Sequence, residues 1–382
     1  MSGTLPLGDH SHPARLRTGD RCTEPSLLRE SFGSVDGSEV DRYTLSAGGA
    51  LTVAVATYGG IVLEVLAPAH GGETGNVVLG LPSLDSYVAQ NTPYLGAVIG
   101  RYANRIANAE FTLDGLRRRL EANEGPHCLH GGTRGFDKRV WQVARAQEGP
   151  DAIALGLRYA SPDGEGGFPG AVLVEVTYTL SRDDSFRIDY RATTDRPTVI
   201  NLTSHLYWQL AGEGSGTVED HLLSVCASRY LPVDGCMIPT GEEAPVAGTP
   251  FDFTTPARVG TRLRDPSAQL AAAHGYDHYL VLDRSDSHSL ASAARLDDPA
   301  SGRRLEIATT EPGIQVYSGN HLDGSLSGTS GRLYRQGDGL ALETQHYPDS
   351  PNRPEFPSTV LRPGNPFAST TVYRLSVVEN AA

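Results

Sequence analysis

At 382 residues, with 39% hydrophobic and 20% charged residues, the chain has an ordinary globular composition and enough length for a large core. Its net charge of -13 argues against nucleic acid and anionic lipid as partners, since both are held by Lys and Arg. A neutral substrate is compatible with that charge.

Residues 1–30 mix Gly, Pro, His and Arg without periodicity and read as a flexible tail. They contain no apolar stretch of the signal-peptide type, and no run anywhere reaches the ~18 apolar residues of a membrane span. Cys22, Cys128, Cys226 and Cys236 form no CxxC pair and no disulfide framework, so the expected setting is a reducing cytoplasm.

From about Ser31 the pattern is one of strands. Val53 and Val55 alternate with Thr52, Ala54 and Ala56 up to Gly59-Gly60. Ile61–Leu66 and Val77–Leu81 read as apolar strands, and Pro82–Gln90 as a short helix with Pro in its first turn. The clearest hairpin spans Ala171–Thr194, where Phe186, Ile188 and Tyr190 alternate with polar residues after an Asp-rich turn. Val199–Leu210, VINLTSHLYWQL, begins as a strand and sets His205 among hydroxyl and aromatic neighbours. Asp265-Pro266 to His274-Gly275 carries the cap, Pro and stop signals of one helix. Ile307, Ile314, Val316 and Tyr317 mark later strands, and Tyr373, Leu375 and Val377 alternate in the last. With 43 Gly and 25 Pro punctuating short strands and no linker or repeat, residues 31–382 read as one all-β antiparallel sandwich.

The usual carriers of several chemistries are absent: GxxxxGK[ST], GxGxxG between strand and helix, HExxH and GxSxG. Five polar strings remain. They are Gly100–Gly115 (GRYANRIANAEFTLDG), Leu129–Trp141 (LHGGTRGFDKRVW), the His205 stretch, Gly275–Leu282 (GYDHYLVL) with Gly313–Gly324 (GIQVYSGNHLDG), and Ala341–Gly364 (ALETQHYPDSPNRPEFPSTVLRPG).

Taken one at a time, their residues leave two readings each. His205 is either a general acid or base near neutral pH or a hydrogen-bonded core histidine. Arg105 can grip two oxygens with its planar fork or form a structural ion pair. His130 can donate to a hydroxyl or stabilise its Gly-rich turn. Asp277 can accept from hydroxyls or cap the turn before it, and Gln315 can bind a ligand or fill a strand ladder. Tyr207 and Trp208 can face a sugar or the core. Glu343, between Leu342 and Thr344 in a strand-like run, is costly to bury without a task.

In order and spacing the five strings resemble the aldose 1-epimerase family, the galactose mutarotases, from about Ser31 to the C-terminus. The resemblance implies a large antiparallel β-sandwich, the galactose mutarotase-like supersandwich, with a few short helices and no cofactor or metal. It implies interconversion of the α and β anomers of hexoses such as galactose and glucose. By position, His205 corresponds to the general acid and Glu343 to the general base. Asn104, Arg105, His130, Tyr207, Asp277 and Gln315 correspond to sugar-contacting residues. The expected partner is a monosaccharide, with the chain acting as a monomer or homodimer.

Mutarotation opens and recloses a hemiacetal, which needs one group to take the anomeric proton and another to protonate the ring oxygen. Free Glu titrates near ~4.3 and His near ~6.5, so burial should raise Glu343, while Glu343 across the sugar should hold a proton on His205. A hexose-6-phosphate 1-epimerase is one alternative, with Arg134, Lys138 and Arg139 as candidate phosphate ligands. A non-catalytic carbohydrate-binding sandwich and a two-carboxylate glycosidase are others.

Overall fold

Long antiparallel strands with strict alternation make the outer layer. In the computed structural model, which describes residues 24–286 and 289–378, Val172–Ser181 and Ser185–Thr194 pair as the expected hairpin, with Val172 opposite Thr194 and Leu180 opposite Phe186. Phe367–Val377 continues the ladder beyond Ser185–Thr194, and Arg303–Thr309 pairs with it in turn. These four are the centre of a nine-stranded sheet. Its inward residues, among them Tyr178, Ile188, Tyr190 and Tyr373, join the main core.

A six-stranded sheet packs on that face. Its middle strands are Leu340–Gln345, Gly313–Tyr317 and Asp277–Val281, flanked by Tyr207–Trp208 and Arg229–Tyr230. Leu340, Leu342, Ile314, Val316 and Leu280 point into the core. Both faces of the strand Leu340–Gln345 are buried throughout, which explains its near-continuous apolar start. A third, five-stranded sheet runs from Ser26–Val35 to Thr74–Asn76.

Several local expectations need correction. The first strand begins at Ser26 rather than about Ser31, so it crosses the boundary drawn at residue 30; residues 1–23 of the expected tail lie outside the described residues. Val77–Leu81 is not a strand: Val78 makes one isolated bridge to Trp208, and the segment is apolar because both sides of it are packed into core clusters. The first helix is Leu84–Gln90, capped by Ser83, whose side chain accepts the Ser86 N–H; Pro82 therefore lies ahead of the cap. The second is only Ala268–Ala273, with Ser267 as N-cap and His274, in a left-handed conformation, as C-cap. The stretch around His205 is three dipeptide strands, Thr198–Val199, Thr203–Ser204 and Tyr207–Trp208, each in a different ladder.

The segment that carries Asn104 and Arg105 is anchored from behind by Arg101. This guanidinium is almost fully buried and donates to the carbonyls of Ser161, Pro162, Pro169 and Gly170 and to Ser161 Oγ. Burial lowers its pKa to about 10, against the opposing pull of Glu165. Arg101→Met should orphan these carbonyls, at about 1–3 kcal/mol for each one left dry, and lower the melting temperature by several degrees. Arg101→Lys should not restore it, because a point charge cannot span the same set of acceptors. Thermal unfolding of the two variants checks this.

Candidate active site

Strand register on the outer face of the six-stranded sheet brings the polar residues together. Gln315 lies opposite Glu343, and Tyr317 lies opposite both Ala341 and Asp277, while Ala341 also faces Tyr207. The period of two therefore sends Tyr207, Glu343, Gln315, Tyr317 and Asp277 to one side. Trp208 goes to the other, where its ring packs 5.2 Å from Tyr373, so it is a core residue.

The facing wall comes from the short ladder in which Leu129 pairs with Arg105. Here His130 donates its N–H to the Asn104 carbonyl, and its Nδ1 accepts the Asn104 N–H at 3.1 Å. Gly131 follows at φ +88, and a Cβ there would sit 2.1 Å from the Gly100 carbonyl oxygen, so only glycine lets the two segments close. His205 is pinned through its backbone, its N–H to the Ala97 carbonyl and its carbonyl to the Gly96 N–H, both at 2.9 Å. Gly96 in turn is a glycine at φ +67 pressed against the Val62 carbonyl.

Between these walls lies a cavity of about 260 Å³, near the lower end of the usual range of ~300–1,000 Å³ for ligand pockets. Seven of the eight expected residues line it: Asn104, Arg105, His130, His205, Tyr207, Asp277 and Glu343. Gln315 does not. It sits behind Asp277, to whose Oδ1 its Nε2 donates at 2.6 Å. Tyr207 stacks on the His205 ring at 4.9 Å and donates its hydroxyl to the Pro93 carbonyl, so it serves as a backing for the imidazole.

Tyr94, Glu124 and Tyr317 also line the cavity and were not anticipated. Tyr317 was accessible from alternation, two residues beyond Gln315 on the same face. Tyr94 and Glu124 sit in irregular connections, where sequence offers no period to read. Tyr94, Asn104 and His130 all have positive φ, at 62°, 66° and 53°. Such backbone costs about 1–3 kcal/mol per residue and persists only when its surroundings enforce it.

Arg105 forms ion pairs with two carboxylates and lines the cavity beside them. Its Nε and Nη2 bind Glu124 at 2.6 and 2.8 Å, and its Nη1 reaches Asp277 at 3.4 Å. Burial works against its charge, but Asp277 and Glu124 outweigh burial and hold the pKa above the usual value. Asp277 is thus a partly buried acceptor between Arg105 and Gln315, not a turn cap.

His205 and Glu343 form a close pair, with Nε2 and Oε1 3.6 Å apart. Only 4% and 2% of their surfaces are exposed. Burial raises the Glu343 carboxyl well above its ordinary value, with Asp277 adding to the effect and Arg105 opposing it. Burial lowers His205 to about 4, its own carbonyl and Asp277 opposing. Burial thus favours the uncharged form of each partner, the carboxylic acid and the neutral imidazole.

One donor atom each of His130, His205 and Glu343 lies within 4.8 Å of the others, a spacing a metal ion can bridge. The Asn104 N–H, however, takes the Nδ1 lone pair of His130 and fixes its proton on Nε2. That imidazole is then a hydrogen-bond donor rather than a metal ligand.

The raised Glu343 pKa has a consequence for stability. A carboxyl whose pKa is higher folded than unfolded stabilises the fold below about pH 4.3, and that contribution is lost as pH rises through the folded value. Glu343→Gln should consequently melt higher than the parent by a margin that is larger at pH 8 than at pH 5. Scanning calorimetry at the two pH values tests this, and an unchanged margin would show that Glu343 ionises normally.

The aldose 1-epimerase family model matches residues 41–374. The chain is 42% identical over 356 residues to galactose mutarotase of Mus musculus, covering 92% of this chain and 99% of that one. It is 39% identical over 343 residues to aldose 1-epimerase of Escherichia coli, covering 89% and 96%. Among solved structures, galactose 1-epimerase of Lactobacillus acidophilus superposes with a TM-score of 0.83 at 27% identity, covering 93% of this chain and all of that one. Register, cavity and sequence likeness agree, and the chain belongs to the aldose 1-epimerase family.

Proposed function

We propose that the chain is a mutarotase of hexose metabolism that interconverts α and β anomers of sugars such as galactose and glucose. The observation that carries this reading is the His205–Glu343 pair, 3.6 Å apart in the wall of one cavity. The anomeric and ring oxygens of a pyranose share a single carbon. Two groups this close can address both at once.

The pair needs one proton in total. With it on Glu343 the pair is uncharged. A bound sugar supplies what burial removed: its anomeric hydroxyl donates to Glu343, and its ring oxygen accepts from His205. Both contacts favour the charged arrangement, carboxylate and imidazolium, and Asp277 favours the imidazolium further. Glu343 then takes the anomeric proton while His205 protonates the ring oxygen, the ring opens, and C1 turns about its bond to C2. Reclosure on the other face returns both protons. The bidentate hold of Glu124 keeps Arg105 in place, and Arg105 and Asp277 bind sugar hydroxyls beside the pair.

A phosphorylated hexose fits poorly. Arg134, Lys138 and Arg139 are paired with Asp36, Asp137 and Glu165. The cavity wall sets the carboxylates of Glu124 and Asp277, and the Glu343 carboxyl, against the single guanidinium of Arg105. A glycosidase needs a second free carboxylate, and Asp277 is already engaged by Arg105 and Gln315.

Polarimetry of freshly dissolved α-galactose and α-glucose should show accelerated equilibration, with much less effect on glucose 6-phosphate. Glu343→Gln and His205→Asn should each lower kcat by about 10²–10⁴, whereas Asp277→Asn should act mainly on KM. Near-normal turnover in Glu343→Gln would refute the assignment of the base. The pH profile of kcat/KM should be bell-shaped. Its acid limb appears where a second proton enters the pair, and its alkaline limb where the last proton leaves.

A further inference from the structure

A second cavity, of about 750 Å³, lies where the nine-stranded and six-stranded sheets are joined by the turn Thr309–Gly313. It shares no lining residue with the sugar cavity. Glu311 forms part of its wall and is 2% exposed, yet neither carboxylate oxygen has a hydrogen-bond partner. Its backbone N–H is held by Thr309 Oγ1 at 3.1 Å, which fixes the side chain at the turn. Arg284 approaches this turn, but its Nη atoms donate to the carbonyls of Thr309, Glu311 and Ser289, not to the carboxylate.

Two more polar atoms in the same wall are buried and unpartnered, Ser369 Oγ and His346 Nδ1, while the Thr359 hydroxyl is turned to the buried Tyr102 hydroxyl. Ser369 is 7% exposed. Buried polar groups are ordinarily satisfied, and a dry carboxylate is the most costly of them to leave alone. Their common complement is a positively charged group with several N–H donors. An ammonium has three. An alkali ion does not use an imidazole nitrogen, and a neutral polyol adds no charge to that of Arg284, which acts on Glu311 without a hydrogen bond to its carboxylate. The rest of the wall, with Pro312, Pro366 and Phe367, is apolar and suits carbon attached to the charge.

We propose that this cavity binds the primary ammonium group of a small, partly apolar amine, with Glu311 as counter-ion and Ser369 accepting a further N–H bond. Titration calorimetry of the full chain with n-butylammonium should show saturable binding of one molecule, and the same ligand should raise the melting temperature. Glu311→Gln should weaken binding at least about tenfold while leaving galactose mutarotation unchanged. The Ser369→Ala variant gives a second reading and should weaken it several-fold. Absence of saturable binding, equal binding of potassium or glycerol, or full affinity in either folded variant would overturn the proposal.

Discussion

Two groups that titrate in opposite directions on burial, set within reach of each other and away from bulk water, cannot both keep the charge they would carry outside. Glu343 and His205 are held in that situation by the sheet on one side and by the Gly96–Ala97 backbone on the other. Desolvation favours the neutral form of each, and the neutral form of the pair has the same proton count as its ionised form. The difference between rest and action is then one proton displaced over a short distance, which hydrogen bonds from a sugar can bias. A solvated pair would already be ionised and would have less to gain from substrate.

The rest of the site serves geometry. The chain Glu124–Arg105–Asp277–Gln315 ties the short Arg105 ladder to two strands of the six-stranded sheet, so the two walls of the cavity are linked by charge as well as by packing. Behind it, Arg101 stitches the neighbouring loops through their carbonyls. Left-handed backbone at Tyr94, Asn104 and His130 shows that this wall is shaped for its contents rather than for backbone comfort.

Sequence reasoning reached the all-β class because alternation speaks directly to it, whereas His205 and Glu343 were singled out by the family resemblance, and the structure places both in one cavity wall. The hairpin ending at Thr194 and the last strand were legible for the same reason. Val77–Leu81 misled because an apolar run reports burial, not hydrogen bonding, and here the two part company. Helix ends shifted because a serine one residue inside each expected start took the cap. Gln315 was given a contact with sugar, but only the cross-strand register could reveal that Asp277 stands in front of it. Glu124 and Tyr94 had no signal at all, since irregular connections place side chains by tertiary contacts alone. Burial, the larger influence on His205, is a property of the folded chain that its neighbours in sequence do not report.

The strand Leu340–Gln345 presents Leu342 to the core and Glu343 to the cavity, with Thr344 back inside against Thr371. Adding or deleting one residue ahead of Glu343 would exchange these faces, driving a carboxylate between two apolar sheets and a leucine into the cleft. Lineages descending from this sequence are therefore free to vary loop lengths but not the spacing within this strand, and insertions and deletions should be purged from it more strictly than substitutions.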